Sequence, residues 1–179
     1  MNKKIVFMGT PNISGQVLKS IFKNGFEIEI VYTQPPVASN RGQNINKSPV
    51  HIISETLNLP VRTPISINSE EEKNYLQNKN ISLGIVTAYG QILSKDFINI
   101  TKYGWINIHY SLLPKFRGAA PIQRAIIEGE KSTGVSIMKM NEKLDEGPIC
   151  NQYSLDILDN ENSEELANRL SVIASEKIS

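Results

Sequence analysis

The stretch Trp105-Ile106-Asn107-Ile108-His109-Tyr110-Ser111-Leu112-Leu113-Pro114 places a carboxamide and an imidazole two residues apart at the end of an apolar run. In a β-strand that spacing sets both side chains on one face, beside Trp105, while Ile106 and Ile108 point the other way. The Leu-Leu-Pro that follows ends the strand in a loop. Polar groups at the carboxyl end of a strand are where open α/β sheets bind their ligands.

Working outward, apolar runs alternate with amphipathic stretches. The pattern predicts a strand over Ile5–Met8, a helix from Ile13 to Lys23 and a strand over Glu27–Tyr32, the βαβ rhythm of a parallel sheet. Thr33 to Lys47, rich in Pro, Asn, Gly and Ser around Arg41, reads as a long surface loop. Ser48-Pro49 then caps and opens a short helix through Leu57, and Pro60-Val61 restarts an extended segment. Beyond lie a polar helix over Glu70–Asn78, a buried strand over Leu83–Thr87, and a helix from Ile92 to Ile98. After the Trp105 strand come a helix over Ala120–Glu128 and two strands, Thr133–Met140 and Ile149–Leu155, joined by the Leu144-Asp145-Glu146-Gly147-Pro148 turn. That pair is expected to add antiparallel strands to the sheet. Asn162 begins a last helix, with Leu166, Leu170 and Ile173 near helical spacing. The sum is a doubly wound α/β architecture with a mostly parallel sheet flanked by helices.

The chain has 179 residues, 40% of them apolar, which suits one core and one globular unit spanning 1–179. Nineteen basic and eighteen acidic residues leave a net charge of +1, so no overall field marks a nucleic-acid or membrane binder. The single cysteine, Cys150, excludes an internal disulfide, fits a reducing cytoplasm, and reads as a small buried hydrophobe. No apolar run reaches membrane-spanning length, and the opening Met1–Gly9 reads as a first strand rather than a signal peptide.

Asn107, His109 and Asp145 together suit attack of an amine on a carbonyl. A tetrahedral intermediate needs donors for its oxyanion, which the Asn107 amide can supply. His109 can donate as well, or shuttle the proton lost by the attacking nitrogen, and a carboxylate such as Asp145 would favour the imidazolium. Direct transfer fits better than a covalent acyl-enzyme, since Cys150 and the serines have no evident activating partner. On spacing alone the plainer reading, turn formers and satisfied polar residues, is favoured. Gly9-Thr10-Pro11 lacks the glycine patterns of dinucleotide and triphosphate loops, and two histidines with one cysteine make no zinc-type pair, so no metal is expected.

Read in order, Val6-Phe7-Met8-Gly9-Thr10-Pro11, Tyr32-Thr33-Gln34-Pro35, Arg41-Gly42, Ser48-Pro49-Val50, Ala88-Tyr89-Gly90-Gln91-Ile92-Leu93, Asn107-Ile108-His109 with Ser111-Leu112-Leu113-Pro114, Arg117-Gly118-Ala119-Ala120-Pro121-Ile122-Gln123 and Leu144-Asp145-Glu146-Gly147 form a recognisable series. The chain resembles the amino-terminal catalytic domain of the methionyl-tRNA formyltransferase family, within the wider folate-dependent formyltransferases. The resemblance implies the Rossmann-like formyltransferase fold and a catalytic trio of Asn107, His109 and Asp145. It implies 10-formyltetrahydrofolate as donor and the α-amine of methionyl initiator tRNA as acceptor, and it reverses the plainer reading. Ser111, Leu112, Leu113 and Pro114 match the family's folate-contacting loop, while Tyr89, Gly90, Gln91, Ile92, Leu144 and Gly147 match the walls of the pterin pocket. Arg41 matches the arginine that engages the tRNA acceptor end, where a guanidinium can fork onto phosphate.

Some positions depart from the family pattern. Pro36-Val37-Ala38-Ser39-Asn40 stands where the family's loop is more charged, and Glu146-Gly147-Pro148 replaces Thr-Gly-Asp after the catalytic Asp. Tyr110 replaces a smaller residue and is expected to pack away from the His109 side. The family also carries a carboxy-terminal β-barrel that supplies much of the tRNA binding, to which nothing in these residues corresponds. The resemblance therefore implies a monomeric cytoplasmic enzyme unit that binds folate but acts poorly on tRNA by itself, and a bacterial source, since such enzymes serve bacterial-type initiation; the Asn-, Ile- and Lys-rich composition points to an AT-rich genome.

Overall fold

A computed structural model of the chain describes residues 4–38 and 45–178. A seven-stranded sheet lies between two layers of helices. In chain order the first half contains β1 (Lys4–Gly9), α1 (Asn12–Lys23), β2 (Glu27–Tyr32), β3 (Val37–Ala38), β4 (Ile45–Asn46), α2 (Pro49–Thr56), β5 (Val61–Arg62) and α3 (Glu70–Gln77). The second half contains β6 (Leu83–Thr87), α4 (Lys95–Ile98), β7 (Trp105–His109), α5 (Pro121–Ile127), β8 (Ser132–Lys139), β9 (Ile149–Asp156) and α6 (Ser163–Lys177). The order across the sheet is β5-β2-β1-β6-β7-β8-β9. Strands β5 to β7 in that order run parallel, and β8 and β9 add antiparallel pairs. After β1 the chain winds outward through β2 to β5, then returns to the other side of β1 with β6, so the order reverses between β1 and β6. Such reversals open a crevice at the carboxyl ends of the strands.

Strand alternation divides the core into two layers. Ile5 and Phe7 of β1 and Ile108 of β7 pack under α1, α2, α5 and α6 with Leu18, Val50, Ile122 and Leu170. Val6, Met8 and Trp105 face the other way, onto Leu76 of α3 and Phe97 of α4. Trp105 is fully buried, its ring 5.5 Å from that of Phe97 and laid over Gly84, where a Cβ would collide with it. This anchors the start of β7 and so fixes the register that carries Asn107 and His109 to its end. Helix ends follow local chemistry. The Ser48 hydroxyl accepts from the His51 amide ahead of Pro49, and Asn162 with Glu165 forms a reciprocal capping box on α6.

Three expectations are corrected. The 33–47 segment is more than loop, because Val37–Ala38 and Ile45–Asn46 pair antiparallel; two-residue strands leave no period to read. The helix expected from Ile92 begins only at Lys95, because the Ser94 hydroxyl caps the Phe97 amide and Asn68 holds both the Ser94 amide and the Ile92 carbonyl outside the helix. Cys150 is exposed rather than buried, since β9 is the edge strand and most of its residues stay open to solvent. Arg41 lies outside the described residues. No helix among them is long and apolar enough to cross a membrane.

Candidate active site

At the carboxyl ends of β6 and β7 lies a cleft of about 500 Å³, bounded by Val86, Ala88 to Leu93, Asn107 to Tyr110, Gly118 to Pro121, Met138 and Met140 to Asp145. A larger but open depression of about 700 Å³ between α1 and α6 holds none of these groups.

Strand parity brings Asn107 and His109 to the same side of β7, and the turn after β8 carries Asp145 over them. Asp145 meets three donors or potential donors. Its Oδ1 accepts from Asn107 Nδ2 at 3.0 Å, its Oδ2 accepts from the Gly118 amide at 2.8 Å, and the same Oδ2 stands 3.5 Å from His109 Nδ1. On the far side of the ring, His109 Nε2 lies 2.9 Å from the Phe116 carbonyl. A carbonyl only accepts, so Nε2 carries a proton and Nδ1 is the nitrogen left for proton exchange. Both side chains of the His109–Asp145 pair are 8% exposed, so the contact is shielded from bulk water. Asn107 Nδ2 has two hydrogens and spends one on Asp145; the second is free for a group in the cleft.

The backbone here is unusually bent. Left-handed φ values in residues other than Gly and Asn occur, among the described residues, at Ala88, Phe116, Ala120 and Asp145, all of them around this cleft. Each such conformation costs on the order of 1–3 kcal/mol and persists where surrounding contacts fix it. Those contacts are visible. The Tyr89 carbonyl accepts from Thr10 Oγ1 at 2.8 Å and from Gln34 Nε2 at 3.0 Å, and Ser14 Oγ donates to the Thr87 carbonyl at 2.7 Å.

The expected wall residues divide in two. Tyr89, Gly90, Gln91, Ile92 and Leu144 all border the cleft. The Tyr89 ring is nevertheless packed into the core, and the Gln91 side chain turns to the Ile67 amide and the Pro64 carbonyl, so these positions offer the cleft mainly backbone. Ser111, Leu112, Leu113, Pro114 and Gly147 do not border it. Ser111 and Leu113 are buried, and Ser111 Oγ donates to the Lys115 carbonyl at 2.6 Å, which curls the loop toward Phe116. Gly147 is packed so closely on the Lys139 backbone that a Cβ would overlap its carbonyl oxygen. Tyr110 packs into the layer away from His109, as its parity implies, and its hydroxyl accepts from Thr87 Oγ1 at 3.1 Å. Burial pushes the Tyr110 phenol up to about 12. Sequence reasoning missed the Phe116 carbonyl and the Gly118 amide, which orient His109 and Asp145. Gly118 adopts a left-handed φ of +83, but a backbone group carries no residue-type signature.

The model of the formyl transferase family matches residues 3–178. A methionyl-tRNA formyltransferase of Pelagibacter ubique is 54% identical over 99% of this chain and 58% of its own length. One from Caulobacter vibrioides is 44% identical over 96% of this chain and 56% of its own. The chain thus spans somewhat under three fifths of the relatives it matches. A phosphoribosylglycinamide formyltransferase from Bacillus halodurans superposes with a TM-score of 0.80 at 22% identity, covering 98% of this chain and 91% of that one. A sugar N-formyltransferase from a Shewanella species gives 0.69 at 21% identity, covering 97% and 65%. These structures share the fold. With a family match over almost every residue and a trio of Asn, His and Asp gathered at the sheet's crevice, the chain belongs to the formyl transferase family.

Proposed function

We propose that this chain, as a single catalytic unit, moves the formyl group of 10-formyltetrahydrofolate onto the α-amine of methionine carried by initiator tRNA. The observation that carries the reading is the cluster of Asn107, His109 and Asp145 in a cleft sized for a small-molecule donor. The names of relatives 44–54% identical supply the acceptor.

In this reading the amine attacks the formyl carbon and the carbonyl electrons move onto oxygen. The free hydrogen of Asn107 Nδ2 and a protonated His109 Nδ1 donate to that oxyanion. The carbon–nitrogen bond to the folate then breaks, the leaving nitrogen takes a proton from His109 Nδ1, and the imidazole recovers one from the attacking nitrogen. Asp145 holds the imidazole and the carboxamide in place through both transfers. The backbone of Gly90–Ile92 and the start of the turn at Leu144 would meet the edge of the pterin. Arg41 would meet the tRNA acceptor end, and the unit would work as a cytoplasmic monomer without a metal.

The test is formyl transfer from 10-formyltetrahydrofolate to methionyl initiator tRNA, with an amino sugar and a ribonucleotide amine as alternative acceptors. Transfer to the tRNA, slow with this chain alone, and to neither small acceptor is expected. Transfer only to a small amine would reassign the acceptor, and folate binding without any transfer would remove the enzymatic reading.

A further inference from the structure

We propose that Gln152, on the outer edge strand β9, is a positioning residue for His109, acting through Ser136 and the loop after β7. The proposal rests on the catalytic reading above for its kinetic consequence and on geometry alone for its structural one.

Ser136 lies opposite His109 in the β7–β8 register and is fully buried. Its hydroxyl is saturated. It donates to the Ser111 carbonyl at 2.6 Å and accepts from the Leu113 amide at 3.1 Å and from Gln152 Nε2 at 2.9 Å. Gln152 Nε2 also donates to the Leu113 carbonyl at 2.9 Å, so each of its two hydrogens has an acceptor. Two side chains from two strands thus meet three backbone groups of a loop that no sheet ladder supports. Three residues beyond Leu113, Phe116 sits at a left-handed φ of 56 with its carbonyl on His109 Nε2. Gly118 next holds Asp145. The path from Gln152 to the imidazole therefore runs through hydrogen bonds that anchor Ser111 and Leu113, then along the loop backbone, where Ser111 Oγ holds the Lys115 carbonyl, to the adjoining Phe116 and its bond to the ring.

A glutamine on a solvent-facing edge strand would ordinarily be free. Here its backbone pairs with Ser136 across β8–β9, and its side chain reaches back over the loop. Losing its two donors leaves the Leu113 carbonyl without the side-chain donor Gln152 supplies and gives the Ser136 hydroxyl an open lone pair, which releases the loop bearing the Phe116 carbonyl.

The test compares Gln152→Glu, which keeps the shape and removes both donors, with Gln152→Lys, which restores donors, and Asn151→Ala on the same strand. The imidazole N–H signals of His109 are read by NMR, and kcat and KM by formyl transfer to methionyl initiator tRNA. Gln152→Glu should melt within a few degrees of wild type, shift and broaden the His109 Nε2–H signal, and lower kcat about tenfold with the donor KM within twofold. Gln152→Lys should recover most of kcat, and Asn151→Ala should match wild type. An unchanged His109 signal in Gln152→Glu, or equal losses in Asn151→Ala, would overturn the proposal. A wild-type chain that transfers no formyl group would sink the functional reading, while a shifted signal in Gln152→Glu would still uphold the positioning role.

Discussion

Asp145 is the residue on which the site's geometry converges, because Asn107, His109 and the Gly118 amide all lie against one carboxylate. Replacing it with Asn turns one acceptor oxygen into a donor. That amide must then face either the donor Asn107 Nδ2 or the donor Gly118 N–H, and one contact becomes repulsive. Asp145→Asn should therefore lose at least about 10²-fold in kcat while its urea midpoint stays near wild type. Asn107→Ala removes a donor aimed at the developing oxyanion and should cost about 10²–10³ in kcat. Normal turnover in either variant, measured as initial rates at saturating donor, would dismiss the assignment. Tyr110→Phe, by contrast, only removes an acceptor from Thr87 Oγ1, so it should cost about 1 kcal/mol in denaturant unfolding and leave kcat alone. Asn107 and His109 were legible because a two-residue period forces them onto one face. What holds them was not, since the Phe116 carbonyl and Gly118 amide belong to the backbone of an irregular loop.

Elements with a long period read well. The βαβ start, the antiparallel β8–β9 pair and α6 stand within a residue or two of where hydrophobic spacing puts them. Short elements set by one side chain did not, as Ser94 shows by capping a helix that begins at Lys95, three residues after the periodic signal begins at Ile92. Gly147 shows the same limit at a site position, because the sequence suggests a pocket wall and the structure gives a packing reason instead. Its Cα lies against the Lys139 backbone at the end of β8, so any Cβ drives the 141–147 turn, and Asp145 with it, away from β7. Gly147→Ala should therefore lower stability by about 1–3 kcal/mol, the usual cost of overpacking, and reduce kcat as well. Urea unfolding beside kinetics tests this. Wild-type stability with wild-type kcat would mean the turn relaxes freely and does not fix Asp145.

At the scale of the whole molecule the sheet separates two apolar layers, one burying Tyr110 and the other Tyr32 and Tyr89, with hydroxyls far from bulk water. Burial raises the phenol of Tyr110 to about 12 and raises those of Tyr32 and Tyr89 further, with the Glu72 carboxylate adding to the Tyr32 shift. Tyr32 also donates its hydroxyl proton to that carboxylate at 2.8 Å, and Glu72 is in turn clamped by Arg62. A raised folded value means that the native state keeps protons which the unfolded chain releases near pH 10. The stability from these groups is therefore whole below pH 10 and lost as pH climbs through the folded values. Each tyrosine that stays protonated in the native state removes about 1.4 kcal/mol per pH unit in that window. The urea midpoint should hold from pH 8 to about 9.5 and then fall steeply, with the tyrosinate absorbance of the three buried phenols rising in step with unfolding rather than before it. Tyr110→Phe should soften the slope by roughly one proton's worth, because only one of the buried phenols has gone. A midpoint that stays flat to pH 11, or tyrosinate that forms fully while the chain remains folded, would show that these phenols reach solvent and that the two layers are looser than their packing implies.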